Sequence, residues 1–307
     1  MVKLGILLTQ HHRLLSVAAV LDVFETVNKV YNDNSEDNPF EISFIGDGTL
    51  PGYGSHPVIN FNTEYKYDLI LVPSFHEGKV QEGIPANARY IPFLRTQYGL
   101  GAEIGSFCSG AFLLAATGLL DHKPATTHIN AVMQFKKAFP LVKLEEESVC
   151  THEEGIFTSG GATNSFHLMF RLISKYCSRE MSVKVAKIFA IDLNREQQGY
   201  FNTAPAVQEH EDELVKQAQK EIEKYSTDGK TIEEILKEVP ASRRNLVRRF
   251  KNATGITPIE LLQKLRIDTA KALLENSQLN IQQVMVESGY NDVKAFRALF
   301  KKQVGLG

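Results

Sequence analysis

The sequence predicts an α/β domain built on a parallel sheet, followed by an all-α domain with two helix-turn-helix units. Three observations carry this expectation. Through the first two-thirds of the chain, short apolar runs alternate with helical patterns, as expected of parallel strands covered on both faces. Beyond that the pattern is helical throughout. The charge also changes sign: residues 243–307 hold 12 basic and 5 acidic residues, a net of +7, whereas 1–205 carry −4 and 206–242 carry −5.

Lys3–Leu8 reads as a buried first strand. Ser16–Tyr31 reads as an amphipathic helix with Val20, Phe24 and Val27 on one face. Asn32–Pro39 is a polar loop and Phe40–Ile45 a second strand. Asp68–Val72 is a third strand, too apolar for a sheet buried on one side only. Ala102–Phe107 is a fourth, running directly into the helical AFLLAATGLL. Ser148–Thr151 and Gly155–Thr158 form a hairpin. Gly160-Gly161 permits a turn before a helix over 164–175, and Phe170 and Phe189 read as core. Periodicity fades from Arg195 to Glu211, which reads as a linker. Helices are expected at 213–225, 231–239, 243–253, 258–275, 280–287 and 292–303. The organisation is therefore a domain over 1–195, a linker over 196–211 and a helical domain over 212–307.

Composition excludes several classes. A chain of 307 residues with 43% hydrophobic content has the material for two packed cores. Gln10, His11, His12 and Arg13 interrupt the start before a signal peptide can form, and no apolar run is long enough to span a membrane. Three cysteines, Cys108, Cys150 and Cys177, fit a reducing cytoplasm better than a secreted framework. His11-His12 and His152-Glu153-Glu154 lack metal-ligand spacing and read as surface polar groups. Glu145-Glu146-Glu147 reads as a solvated loop, and no cofactor or metal is expected.

In the basic region, Thr231 can cap a short helix carrying Ile232, Ile235, Leu236 and Val239. Val239-Pro240-Ala241 is a tight turn, and Ser242 suits the N-cap of the next helix. There Leu246 and Phe250 point to a core, while Arg244, Val247, Arg248 and Lys251 occupy the other face. A short helix, a tight turn and a basic second helix make a helix-turn-helix whose second helix can read a DNA groove. The pattern recurs: Ile281, Val284 and Met285, the turn Ser288-Gly289-Tyr290, a cap at Asn291 or Asp292, the core pair Phe296 and Phe300, and the basic residues Lys294, Arg297, Lys301 and Lys302. Pro258 starts a long helix that can hold both units at fixed spacing. An all-helical interaction bundle with a solvated basic surface is the competing reading.

In the first domain, Gly105-Ser106-Phe107-Cys108-Ser109-Gly110 passes from a strand into a helix. Small residues permit a sharp elbow that projects Cys108 beyond the sheet, where a helix N-terminus would lower the thiol pKa. Thr126-Thr127-His128 can bring an imidazole close. A small buried hydrophobe at Cys108 and an ordinary polar histidine at 128 fit the same pattern.

Two resemblances become specific at these residues. Ser242-x-Arg244-x-Leu246-x-Arg248-x-Phe250, Gly255-x-x-Pro258, Leu265-Arg266-Ile267, Ala270, Leu273-Leu274, Gly289-Tyr290 and Phe296-x-x-x-Phe300-Lys301 resemble the AraC/XylS signature over about residues 209–307. That resemblance implies base contacts from Arg244, Val247 and Arg248 and from Val293, Lys294, Arg297 and Ala298, with Arg243, Lys251 and Lys301 as further DNA contacts. Leu236 stands where Ala is common, Pro240 where the turn Gly is common, and Ala298 where Arg is common. The sequence stops at Val304-Gly305-Leu306-Gly307, where such domains usually continue with a short Pro/Tyr/Arg helix. Residues 68–75, 102–128 and 158–168 resemble the ThiJ/PfpI superfamily, over about residues 1–195, and imply its flavodoxin-like, class I glutamine-amidotransferase-type fold. Cys108 matches its nucleophile and His128 its Thr-Thr-His position. The acidic position falls on Ser16, with Asp22 off register, and Ser74-Phe75 replaces the usual Gly-Gly. The fusion, with Asp192-x-x-Arg195-x-x-Gln198 and His210-x-Asp212, resembles GlxA-like regulators.

The resemblance implies a sequence-specific transcriptional regulator that binds double-stranded operator DNA. Its first domain is expected to sense a small, polar, nitrogen-containing effector, to dimerise, or both, without catalysis. Ser74, Phe75, His76, Cys108, Ser109, His128, Asn164 and His167 are the expected pocket, with Cys108 and His128 as a pseudo-active site. A homodimer and contact with RNA polymerase go with this reading. The alternatives are a redox-responsive regulator acting through Cys108 and a cysteine hydrolase or amidase with a DNA-binding appendage.

Overall fold

The computed structural model describes residues 1–48, 50, 52–61, 64–76, 78–161, 163–193 and 210–304. The chain divides into two compact units, Met1–Asn202 and Thr203–Gly307. Of the expected linker over 196–211, only His210 and Glu211 fall within the described residues.

In the first unit the chain lays down β1 (Val2–Leu7), α1 (Leu14–Asp33), β2 (Phe40–Gly46), β3 (Val58–Asn60), β4 (Leu69–Val72), α2 (Val80–Asn87), α3 (Tyr90–Gly99) and β5 (Glu103–Phe107). It continues with α4 (Ala111–Ala116), β6 (Pro124–Ala125), α5 (Val132–Ala138), β7 (Lys143–Leu144), β8 (Cys150–Glu153), β9 (Ile156–Ser159), α6 (Asn164–Tyr176) and α7 (Arg179–Ile188). The main sheet has the order β3-β2-β1-β4-β5-β9-β8. All its pairs are parallel except the β8–β9 hairpin. The apolar runs follow from burial on both faces. Leu69 and Leu71 of β4 enter the core formed with α1, α6 and α7, while Ile70 and Val72 enter the one formed with α3 and α4.

Several elements go beyond the sequence reading. β3 is a three-residue edge strand with no buried residue, so it leaves no apolar run. α2 carries Pro85 inside it, which obscures a helical pattern. The topology places the site. From β1 the chain moves outward to β2 and β3, then returns to β4 on the other side of β1. The carboxyl ends of β1 and β4 therefore flank the switch point where open α/β sheets bind ligands.

Among the described residues of the second unit, each helix begins at a capping residue. Asp212 accepts the Val215 N–H at the start of α8 (Glu213–Lys224). Thr231 and Glu234 form a capping box on α9 (Ile232–Ile235). Ser242 caps α10 (Arg243–Thr254), and a Thr257–Glu260 box with Pro258 in the first turn opens α11 (Pro258–Asn276). Asn280 and Gln283 box α12 (Ile281–Glu287). Of the two cap candidates for α13 (Val293–Val304), Asp292 accepts the Ala295 N–H at 2.7 Å. The helix expected over 231–239 ends at Ile235 instead. Pro240 disfavours helical backbone at Val239, which donates back to the Leu236 carbonyl in a tight turn at 3.1 Å. Val215, Ile222, Ile235, Leu246, Phe250 and Leu261 share the core of this first half. Among the described residues no helix is long and apolar enough to cross a membrane.

Candidate functional site

The first site lies where the carboxyl ends of β4 and β5 meet. Cys108 follows β5 directly and adopts φ +54°, a left-handed value uncommon for a residue with a side chain. Its neighbours hold it there. A Cβ on Gly110 would stand 2.5 Å from the Pro73 carbonyl oxygen and 2.8 Å from that of Val72, so only glycine lets this turn pack against the end of β4. Thr127 Oγ1 donates to the Cys108 carbonyl at 3.0 Å. The elbow read from the small residues is therefore present.

Cys108, however, is only 4% exposed. Burial pushes its pKa up to about 11, against smaller downward pulls from Ser109 and Arg13. This corrects the expectation that the following helix lowers it. Residues 108–110 form a 3₁₀ turn ahead of α4, and removing a thiolate from water outweighs the helix end. The partners of a nucleophile are also otherwise engaged. Ser16, at the acidic position, is buried, and its Oγ accepts the Ser74 N–H at 3.1 Å. Ser109 Oγ accepts the Phe75 N–H at 2.9 Å. Two amides that could have stabilised an oxyanion thus already donate to serine hydroxyls. Asp22 sits on the exposed side of α1. His128 Nδ1 accepts the Asn130 N–H at 3.1 Å, capping a short turn.

Of the expected pocket residues, Ser74, Phe75, Cys108, Ser109, Asn164 and His167 are buried. Phe75 joins Ser109 and Ser74 joins Ser16 through the bonds above, and Cys108 joins the 126–128 segment through Thr127. The His128 ring faces Gly161, where an added Cβ would lie 3.4 Å from its Cδ2. Asn164 donates its N–H to the Gly161 carbonyl at 2.7 Å, and His167 follows one turn along α6, buried. His76 differs, being exposed, with its N–H donated to the His11 carbonyl. Sequence reasoning missed Arg13 here, although it donates its N–H to the Ser74 carbonyl and acts on the thiol. His12, expected as a surface polar group, is half-buried and bonded to Thr9 and Tyr53. His152 stacks on Phe157 at 4.0 Å. Among the described residues no cluster of potential metal ligands forms.

The second site is a pair of basic helices. On α10, Arg243, Arg244, Arg248 and Lys251 are exposed and Val247 half-buried, while Leu246 and Phe250 are buried. On α13, Val293, Lys294, Arg297, Ala298 and Lys301 are exposed and Phe296 is buried, with Phe300 half-buried against it at 5.6 Å. Positions 244, 247, 248, 251 and 294, 297, 298, 301 have the same helical spacing, so each helix presents one cationic stripe opposite its core stripe.

Not every cation in this unit serves that stripe. Arg266 is 9% exposed. Its guanidinium donates to the Ser226 carbonyl at 2.6 Å and the Lys230 carbonyl at 2.7 Å, and lies over the Tyr290 ring. Against it packs Gly289, with φ +87°. A Cβ on Gly289 would stand 2.8 Å from the Ser226 oxygen and 2.9 Å from Arg266 Nε. Gly289 and Tyr290 donate to the Val286 and Met285 carbonyls, the Schellman closure of α12. Arg266 therefore fastens the turn of the second helix-turn-helix to the loop between α8 and α9. Arg249 grips Asp212 through Nε and one terminal nitrogen at 2.9 and 2.7 Å, fixing the start of α8 on α10. The signal for both was phase: each arginine sits next to core positions of its helix.

A family model described as DJ-1/PfpI family matches residues 55–175, and one described as Helix-turn-helix domain matches residues 235–306. The chain is 25% identical over 226 residues to the HTH-type transcriptional regulator GbdR of Pseudomonas aeruginosa, covering 71% of this chain and 59% of that one. It is 27% identical over 212 residues to the HTH-type transcriptional regulator CdhR of the same species, covering 69% and 63%. The match thus spans less than two thirds of these relatives' length. The crystal structure of an AraC family transcriptional regulator from Pseudomonas putida superposes with a TM-score of 0.51 at 17% identity, over 62% of this chain and all of that one, a likeness of fold alone. The chain thus carries a region similar to the DJ-1/PfpI family ahead of a region similar to a helix-turn-helix domain.

Proposed function

We propose that the protein is a sequence-specific DNA-binding transcriptional regulator. The observation that carries this reading is the duplicated cationic stripe on α10 and α13, each helix preceded by a short helix and a tight turn. Arginines there can contact guanine edges or phosphates. The named relatives are transcriptional regulators, which supports the same reading. The first domain senses a small polar, nitrogen-containing effector at the carboxyl ends of β4 and β5, dimerises, or both, and it does not catalyse. Its buried thiol and engaged amides speak against a hydrolase, and the same burial disfavours Cys108 as a redox sensor. Leu14 and Leu15, more than half exposed at the start of α1, offer an apolar surface for a homodimer. A GlxA-like arrangement, RNA polymerase as partner and a cytoplasmic location belong to this proposal.

The test is selection of bound sequences from a random DNA pool at two salt concentrations. A two-part motif with half-sites about one helical turn apart is expected. Salt-sensitive binding without a motif would leave only phosphate attraction and overturn the reading.

A further inference from the structure

Beside the first recognition helix lies a cleft of about 570 Å³ that DNA reading leaves unexplained. Its walls come from α9 and the turn after it, from the start of α10 and from the start of α11. Leu236, Val239, Leu246 and Ile259 make them largely apolar. Ile259 is left 42% exposed at the start of α11, so its apolar surface stays in water unless something covers it. The volume falls within the roughly 300–1,000 Å³ typical of small-molecule sites. Three charged side chains line the cleft: Glu233, Lys237 and Arg243. Glu233 takes Arg243 in an ion pair at 2.8 Å. Lys237 forms no salt bridge among the described residues, so it is the surplus cation. An apolar chamber with one surplus cation complements a molecule with a hydrocarbon body and a single anionic head. A phosphate backbone would match the cation but not the apolar walls.

We propose that this cleft binds an amphiphilic organic monocarboxylate, its carboxylate at Lys237 and its hydrocarbon against Leu236 and Ile259, and that occupancy weakens DNA binding. The second half rests on the DNA-binding reading, because Arg243 and Val247 belong both to the cleft wall and to the expected DNA-facing helix. A carboxylate there adds negative charge beside the path of the phosphates. The first half stands without it.

The experiment titrates the full chain with sodium octanoate by calorimetry, alongside the Lys237→Gln and Ile259→Gln variants and neutral octanol. Saturable one-to-one binding is expected, weakened about tenfold or more by each substitution and by loss of the ligand's charge. No saturable binding, or binding indifferent to both substitutions, overturns the site. Octanol binding as tightly as octanoate overturns the anionic class. DNA affinity is then read with and without octanoate on the sequence recovered from the pool. A loss in the natural chain that disappears in Ile259→Gln supports the competition, and an unchanged affinity at saturation overturns it. If the pool yields no motif, the calorimetry alone still decides the site, which separates its failure from that of the DNA-binding reading.

Discussion

The Cys108 elbow and the α10 and α13 stripes differ in how far local pattern carries through to chemistry. Both were found from residue spacing. On the stripes, spacing is enough: once a helix buries Leu246 and Phe250, geometry turns Arg244 and Arg248 to solvent, where a guanidinium is ready to act. At the elbow, spacing supplies the backbone but not the reactivity. The strained φ of Cys108 is present, yet the thiol is buried and the amides of Ser74 and Phe75 are engaged by Ser16 and Ser109. Exposed sites take their chemistry from the side chain, whereas buried sites take it from whatever surrounds the side chain.

That contrast can be broken by substitution. The largest effect is expected from Gly110→Ala, which forces a methyl into the Val72 and Pro73 carbonyl oxygens. A loss of about 3 kcal/mol or more should appear in denaturant unfolding, and an unchanged midpoint would mean the elbow is not held by this close approach. Next, Arg266→Ala leaves two carbonyls without their charged donor and should destabilise the helical unit by about 2–4 kcal/mol, read by circular dichroism. If it instead lowers only DNA affinity, Arg266 belongs with the stripes and the division between inner and outer arginines fails. Arg244→Ala, in contrast, should keep stability and weaken specific DNA binding by about 1–3 kcal/mol.

The smallest effect on DNA binding is expected from Cys108→Ser, which should leave operator affinity unchanged in the absence of effector. Its consequence lies in pH. Because burial raises the thiol from its ordinary 9 to about 11, the folded unit favours the protonated form. That contribution is whole below about pH 9 and is lost as pH rises through about 11. Unfolding midpoints between pH 8 and 11 should fall less steeply in Cys108→Ser than in the natural chain. At pH 8 the native thiol should alkylate about a hundredfold more slowly than in the unfolded chain, measured by peptide mass spectrometry. Fast native alkylation would reopen the nucleophile reading.

Much of the fold was legible because it is written in periodicity. The α1 face of Val20, Phe24 and Val27, the apolar β4 and the paired core residues of α10 follow from the two regular repeats of polypeptide geometry. Less legible were elements that bury little. β3 has no apolar run, and α9 stops at Ile235, ahead of the turn at Val239-Pro240. The functional residues divide in the same way. The sequence by itself determined which helices are basic, where the elbow turns and that Thr231 and Ser242 cap α9 and α10, because these depend on neighbours within a few positions. Only the tertiary structure decided that Arg249 holds Asp212 and that Arg266 holds the Ser226 and Lys230 carbonyls. It alone decided that Ser16 meets Ser74 across 58 positions. Desolvation and hydrogen-bond partnership arise from chain segments far apart in sequence, and no local pattern encodes them.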